Sequence, residues 1–236
     1  MTSSRLPGKV LKEAGGKPLL QILIERLKKV EQLNEICVAT TINETDEPIV
    51  ELIRKLNISC FRGSEEDVLS RVLGAAKMCH ADIIVEITGD CPLIDPEIVS
   101  QVIDLYLHNE CDYASNCEPV TYPIGMDVQV FSVELLALAD KEGNLPEDRE
   151  HVSWFIRRQP ERFNHLTLFA PPALKYPDTS ITLDEKEDYE LIKCLYESLS
   201  KNNEFFTCYD MVNLLKSNEK LASLNKHIAR KEVNRN

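Results

Sequence analysis

Between Pro18 and Leu107 the chain alternates helix-period and strand-period apolar patterns joined by short polar connections, which restricts it to a sheet flanked by helices. Pro18 to Val30 reads as a helix opened by proline and striped by Leu20, Leu23, Ile24 and Leu27. Glu35 to Thr41 reads as a strand, Asp46 to Leu56 as a helix, Ile58 to Arg62 as a short strand and Ser64 to Cys79 as a helix. For that last helix, Ser64 is the expected hydroxyl cap and Asp67 an acid in its first turn. Asp82 to Thr88 is an apolar strand, and Pro96 to Leu107 a helix capped by Asp95. The expected architecture is α/β, with a doubly wound sheet between two helical layers.

The remainder is less regular. Asp112 to Asn116 and Gly125 to Phe131 read as strands, followed by a helix from Val133 to Lys141, a polar loop and a helix from Glu150 to Arg158. His165 to Phe169 and Ser180 to Leu183 are expected strands, Glu185 to Ser198 a helix, and Tyr209 to Lys216 a last helix in a tail that either covers the domain or frays. The expected division is a domain over residues 1–200 and a helical tail over 201–236.

Ahead of the first helix lies Ser3-Ser4-Arg5-Leu6-Pro7-Gly8-Lys9. Arginine forks onto phosphate oxygens, lysine serves as a mobile point charge, and Gly8 lets backbone approach a ligand. The loop lacks the G-x-x-x-x-G-K-[ST] spacing of the common P-loop, so a phosphate cradle and a merely solvated basic turn both fit it. Charge is segregated around it. The whole chain carries −12, yet Met1 to Lys29 holds Arg5, Lys9, Lys12, Lys17, Arg26, Lys28 and Lys29 against only Glu13 and Glu25. Such a protein repels a polyanion and still attracts a small anion at one end, which argues against nucleic acid as a partner.

No apolar run reaches the length of a membrane span and no signal peptide opens the chain, so it is read as cytoplasmic without membrane insertion. Eight cysteines without C-x-x-C spacing are expected to be buried thiols, with Cys91 the exception because it falls in a candidate site loop.

That loop is Ile87-Thr-Gly-Asp90-Cys-Pro-Leu-Ile-Asp95, at the carboxyl end of the apolar strand, where open α/β sheets place their ligands. Asp90 fits a magnesium ligand bridging to phosphates, and equally a turn aspartate bonded to its own backbone. Asp184, in Ile181-Thr-Leu-Asp184-Glu-Lys-Glu-Asp188, fits either a helix cap or a second ligand to the same ion. Asp127, beside a glycine-led strand, is a third candidate.

These segments occur with others in a recognisable order: SSRLPGK at Ser3 to Lys9, GGKPLL at Gly15 to Leu20, FRGSEEDVLSR at Phe61 to Arg71 and ITGDCPLIDP at Ile87 to Pro96. DYASN at Asp112 to Asn116, YPIGMDVQVF at Tyr122 to Phe131, REHV at Arg149 to Val152 and TLDEKEDYELI at Thr182 to Ile192 complete the set. Together they span nearly the whole chain, which resembles the bacterial cytidylyltransferases that activate sugar acids, including the acylneuraminate and 3-deoxy-manno-octulosonate enzymes, and most closely their spore-coat polysaccharide branch.

The resemblance implies a three-layer αβα nucleotide-diphospho-sugar transferase fold with a mostly parallel mixed sheet, a homodimer, CTP as substrate, Mg2+ as cofactor and an acidic sugar or phosphorylated small molecule as acceptor. It implies that Arg5 and Lys9 hold the triphosphate with Ser4 and Gly8, and that Asp90 and Asp184 are catalytic metal carboxylates. It places Arg62, Gly63, Ser64 and Arg71 near the nucleotide, and Gly125, Asp127, Arg149 and His151 toward the acceptor. A histidine bonded at a helix start is the other reading of His151.

Two departures accompany it. Members of that group carry an apolar strand ending in Ala-Arg just before the position of Met1, so the expected sheet lacks its first central strand. The alternatives are a start upstream of Met1 or a truncated form with impaired activity. Ile124 stands where close relatives commonly have an acid, which bears on acceptor choice. Two further classes share the expected features: a nucleotidyltransferase using another NTP with a sugar phosphate, and a noncatalytic homologue acting in binding or assembly. A dinucleotide oxidoreductase is disfavoured, because no G-x-G-x-x-G follows a first strand.

Overall fold

The computed structural model describes Met1, Ser3 and residues 5–229. A 3-10 turn, Lys9–Leu11, leads into a hairpin of two short strands, β1 (Glu13–Ala14) and β2 (Lys17–Pro18), and then α1 (Leu19–Leu27). There follow β3 (Cys37–Thr41), α2 (Glu47–Lys55), β4 (Ser59–Gly63), α3 (Val68–Met78), β5 (Ile83–Glu86) and α4 (Pro96–Leu107). The second half adds β6 (Tyr113–Ser115), β7 (Gln129–Ser132), α5 (Val133–Glu142), α6 (Pro146–Glu150), α7 (Trp154–Arg157), β8 (His165–Thr167), α8 (Lys186–Leu199), α9 (Cys208–Ser217) and α10 (Glu219–Ala222).

The architecture is α/β with a mixed, partly parallel sheet flanked by helices. β3 and β4 pair in parallel, while β5, β7, β6 and β8 form a second piece in which β5–β7 and β7–β6 are antiparallel and β6–β8 is parallel. Among the described residues no strand pairs with the second edge of β3 or of β5. Side chains from both pieces nevertheless reach one core. Val38 and Cys60 of the first and Val85 and Leu166 of the second pack against a cluster built from α1, α4, α8 and α9.

Local chemistry explains most boundaries. Pro96 takes the first position of α4 while Asp95 accepts from the Glu97 N–H at 2.9 Å. For α3 the expected cap is corrected: the carboxylate of Asp67, not Ser64, accepts from Ser70 N–H at 3.0 Å, and Ser64 Oγ instead accepts from Asp67 N–H. An Asp three residues further on competes successfully because its charge complements the helix dipole. The expected strand from Ser180 to Leu183 reduces to a single parallel bridge between Ile124 and Ser180. The expected Gly125 to Phe131 strand begins only at Gln129, because Gly125 at φ +103° turns the chain.

Among the described residues beyond 200, those of α9 and α10 and the turn before them pack into the domain. Phe206, Cys208, Met211, Val212, Leu215, Leu221 and Ala222 all belong to the main core, each large apolar side chain contributing about 1.5–3 kcal/mol on burial. A buried arginine reinforces the seam. Arg26 of α1 donates from Nε to Ile94 O at 2.7 Å and from Nη2 to Phe206 O at 2.6 Å, with the Phe206 ring 4.6 Å from its guanidinium carbon. Burial outweighs the pull of Asp95 and lowers the Arg26 pKa to about 10. All eight cysteines are free, but the expectation that they are buried holds fully only for Cys91 and Cys208. Cys194 is exposed, and Cys91 sits inside rather than at the surface of its loop. No helix among the described residues is long and apolar enough to cross a membrane.

Candidate active site

Three segments far apart in sequence converge beyond the carboxyl end of β5. The first is the N-terminal turn, where Gly8 at φ +65° allows the backbone to reverse into the Lys9–Leu11 turn. The second is the loop after β5, in which Cys91 N–H donates to Thr88 O at 3.1 Å and Thr88 Oγ1 donates to Asp90 Oδ1 at 2.6 Å, fixing one face of that carboxylate. The third is the extended run from 179 to 184, held beside Ile124 by Ile181 N–H to Ile124 O at 2.7 Å and Ile124 N–H to Thr179 O at 2.9 Å.

Lys9 is the point of convergence. Its Nζ lies 3.3 Å from Asp90 Oδ2 and 3.0 Å from Asp184 Oδ1. Arg5 adds Nη2 at 3.0 Å from the same Asp184 oxygen and Nη1 at 3.3 Å from Glu185 Oε1. Burial works against the Lys9 ammonium, yet the charge of Asp90 and its bond to Asp184 outweigh it and hold the pKa above its ordinary value. The ammonium is therefore a fixed point charge with two carboxylates directed at it, an arrangement that would also suit a small hard cation. Among the described residues no group of three or more Asp, Glu, His or Cys side chains could hold a metal. Two carboxylates completed by substrate oxygens and water suit magnesium nonetheless.

The other expected residues are dispersed. Ser4 lies outside the described residues. Asp127 accepts from Gly125 N–H at 2.9 Å, and burial, reinforced by the charge of Asp90, raises its pKa. Arg62 is occupied with its own fold: Nε donates to Thr41 O and Nη2 to Asn43 O, both at 2.9 Å, and Nη1 pairs with Glu47. Arg71 bonds the carbonyls of Ser64 and Glu65, closing the loop that begins at Gly63, while its buried Nε has no partner. A Cβ at Gly63 would stand 2.9 Å from Arg71 Cγ, so glycine is what lets the arginine fold over this turn. Arg149 bridges Asp67 and Asp140, joining α6 to α3 and α5. His151 is tied through its backbone, donating to Glu147 O at 2.9 Å and accepting from Trp154 N–H at 2.7 Å.

Sequence reasoning passed over a polar group on the neighbouring strands. Gln129 of β7 accepts at Oε1 from the hydroxyls of Tyr113 and Ser153 and donates from Nε2 to Glu86 Oε2 at 3.3 Å. Burial pushes the Glu86 carboxyl up to about 7, against the opposing charge of Arg157. Arg157 itself pairs with Glu118, and its charge is also felt at Asp127. The signal was weak because these residues are single polar positions in otherwise apolar strands and helices.

Paired carboxylates and cations beyond the end of a strand in a mixed α/β sheet suit a phosphate-bearing ligand. The cytidylyltransferase family profile matches residues 1–229 of the chain. Spore coat polysaccharide biosynthesis protein SpsF of Bacillus subtilis is 32% identical over 228 residues, covering 94% of this chain and 93% of that protein. The 3-deoxy-manno-octulosonate cytidylyltransferase of Acinetobacter baumannii strain ATCC 17978 is 32% identical over 184 residues, 72% of this chain and 70% of that one. Among solved structures, a cytidylyltransferase from Leptospira borgpetersenii superposes with a TM-score of 0.89 at 32% identity, over 98% of this chain and 95% of the other. The chain belongs to the cytidylyltransferase family.

Proposed function

We propose that this protein transfers a cytidylyl group from CTP to an acidic sugar, releasing pyrophosphate, in the biosynthesis of a surface polysaccharide or glycoconjugate. The observation that carries the reading is the convergence of Asp90 and Asp184 on the Lys9 ammonium. In the reaction an acceptor oxyanion attacks the α-phosphorus in line. The new P–O bond forms as the bond to the β-phosphate's bridging oxygen breaks, and the electron pair leaves with pyrophosphate. Arg5 and Lys9 turn from their carboxylate partners to the β and γ phosphates, where they stabilise the charge that builds up on the leaving group. No enzyme nucleophile is needed.

Asp90 and Asp184 would hold Mg2+, which supplies charge neutralisation and orientation of the phosphate oxygens when bound. In this reading Gly125, Asp127, Arg149 and His151 face the acceptor, and Arg62, Gly63, Ser64 and Arg71 lie near the nucleotide, with Gly8 in the phosphate turn. Support for an acid-bearing acceptor comes from the octulosonate relative's name. A homodimer is part of this reading, supported by exposed Phe169 and Val120 on two adjoining segments, where Ala170 N–H donates to Thr121 Oγ1 at 2.9 Å.

Titration calorimetry with CTP in the presence and absence of Mg2+, with ATP as control, tests the proposal. Magnesium-dependent binding selective for CTP is expected; equal affinity for ATP, or no binding by folded protein, overturns it.

A further inference from the structure

We infer that Asn225, in the segment after α10, is a positioning residue for Asp184 and acts through the carboxylate of Asp188; this rests on the reading of Asp184 as a metal carboxylate given above. Asp188 stands in the first turn of α8, four residues beyond Asp184, and is fully buried. Its Oδ2 accepts from the backbone N–H groups of Asp184 at 3.1 Å and Glu185 at 2.9 Å. Its Oδ1 accepts from Asn225 Nδ2 at 2.7 Å. The same amide nitrogen donates to Ser180 O at 2.9 Å, and Asn225 is 4% exposed.

One side chain thus spends its two N–H donors on both ends of the run that delivers Asp184. Upstream, Ser180 is held at its carbonyl; downstream, Asp188 is held so that it can grip the Asp184 and Glu185 amides. Asp184 sits at a helix entrance, anchored on one side by the Leu183 N–H bond to Asp90 O and on the other by Asp188, and its carboxylate must meet Lys9 and Arg5 within about one hydrogen-bond length. A buried carboxylate that loses one of its donors reorients to recover a partner, because an unsatisfied buried charge is costly. Reorientation of Asp188 pulls on the Asp184 N–H and tilts its side chain away from Asp90. The C-terminal segment therefore has a role in the site that its burial alone does not reveal.

The test compares Asn225→Ala and Asn225→Ser with Leu221→Ala, a neighbouring core truncation that touches none of these hydrogen bonds. Mg2+ affinity in the presence of CTP is measured by calorimetry, Mn2+ occupancy by electron paramagnetic resonance, and folding by melting temperature. Both Asn225 variants are expected to weaken divalent-ion affinity about tenfold or more, whereas Leu221→Ala lowers the melting temperature without altering metal affinity. The inference is overturned if folded Asn225→Ser binds the ion as the unmodified protein does while Asp184→Asn abolishes binding. If Asp184→Asn itself leaves ion binding intact, the underlying assignment of Asp184 falls, and the inference with it.

Discussion

Leu183 donates its backbone N–H to the carbonyl of Asp90 at 2.9 Å, so the two acid-bearing segments are joined by the main chain one residue away from the carboxylate of Asp184. The separation of Asp90 and Asp184 is therefore a property of the backbone, and the side chains need only rotate to meet a shared cation.

Because that frame survives loss of either carboxylate, Asp90→Asn and Asp184→Asn should fold and lose function. Turnover, followed as pyrophosphate release from CTP, is expected to fall about 100-fold or more, with the melting temperature nearly unchanged. Near-normal turnover in either variant removes that residue from the site.

Gly125→Ala should damage both fold and site. An added Cβ would stand 2.8 Å from Ile181 C and 3.0 Å from Ile181 O, at a φ of +103° that alanine rarely adopts. Backbone cannot swing aside as a side chain can, so the 179–184 run must move. A loss of about 3 kcal/mol in denaturant unfolding is expected, together with reduced CTP turnover; an unperturbed unfolding midpoint would contradict the geometry.

Arg26→Met should loosen the seam between α1 and the C-terminal segment. It preserves much of the aliphatic volume but leaves the Ile94 and Phe206 carbonyls without their donors. Equilibrium unfolding is expected to show a loss of about 2–4 kcal/mol. Hydrogen exchange should report earlier opening of α9 than of α4.

Glu86 predicts a pH dependence. Its folded pKa, about 7, lies above its ordinary value, so the folded state holds a proton that the unfolded state releases as pH rises. Stability from this group is intact below the ordinary carboxylate range and is lost between there and about pH 7. Relative to Glu86→Gln, the unmodified protein should lose at most about 3 kcal/mol across that window. Parallel stability curves for the two proteins from pH 4 to 8, roughly the span over which a carboxyl so shifted titrates, would show that Glu86 is ordinary.

The alternation from Pro18 to Leu107 was legible because helix and strand periods differ and because Pro96 and Asp95 mark a helix start without help from the rest of the molecule. The 179–184 run was not, since its apolar residues Ile181 and Leu183 have the pattern of a strand while its partners, Ile124 and Asp90, come from distant turns. Asp90, Asp184, Arg5 and Lys9 stood out as chemistry in loops, and they do converge. Arg62, Arg71 and Arg149 show the opposite limit. Their bonds to Thr41, Ser64 and Asp67 depend on segments brought together by the fold, and the letters of the motif carry no sign of those partners. Asp188 looked like one acid among several, because its meaning depends on an asparagine far downstream.

The bond between Arg26 and Phe206 joins positions 180 residues apart. During synthesis at about 5–20 residues per second, α1 emerges roughly 10–40 s before the carbonyl that receives its guanidinium. For that interval the Arg26 guanidinium is held by water instead of by the Phe206 carbonyl, and the face of α1 that the C-terminal segment covers stays open, so this part of the core closes only after residue 206 has been made.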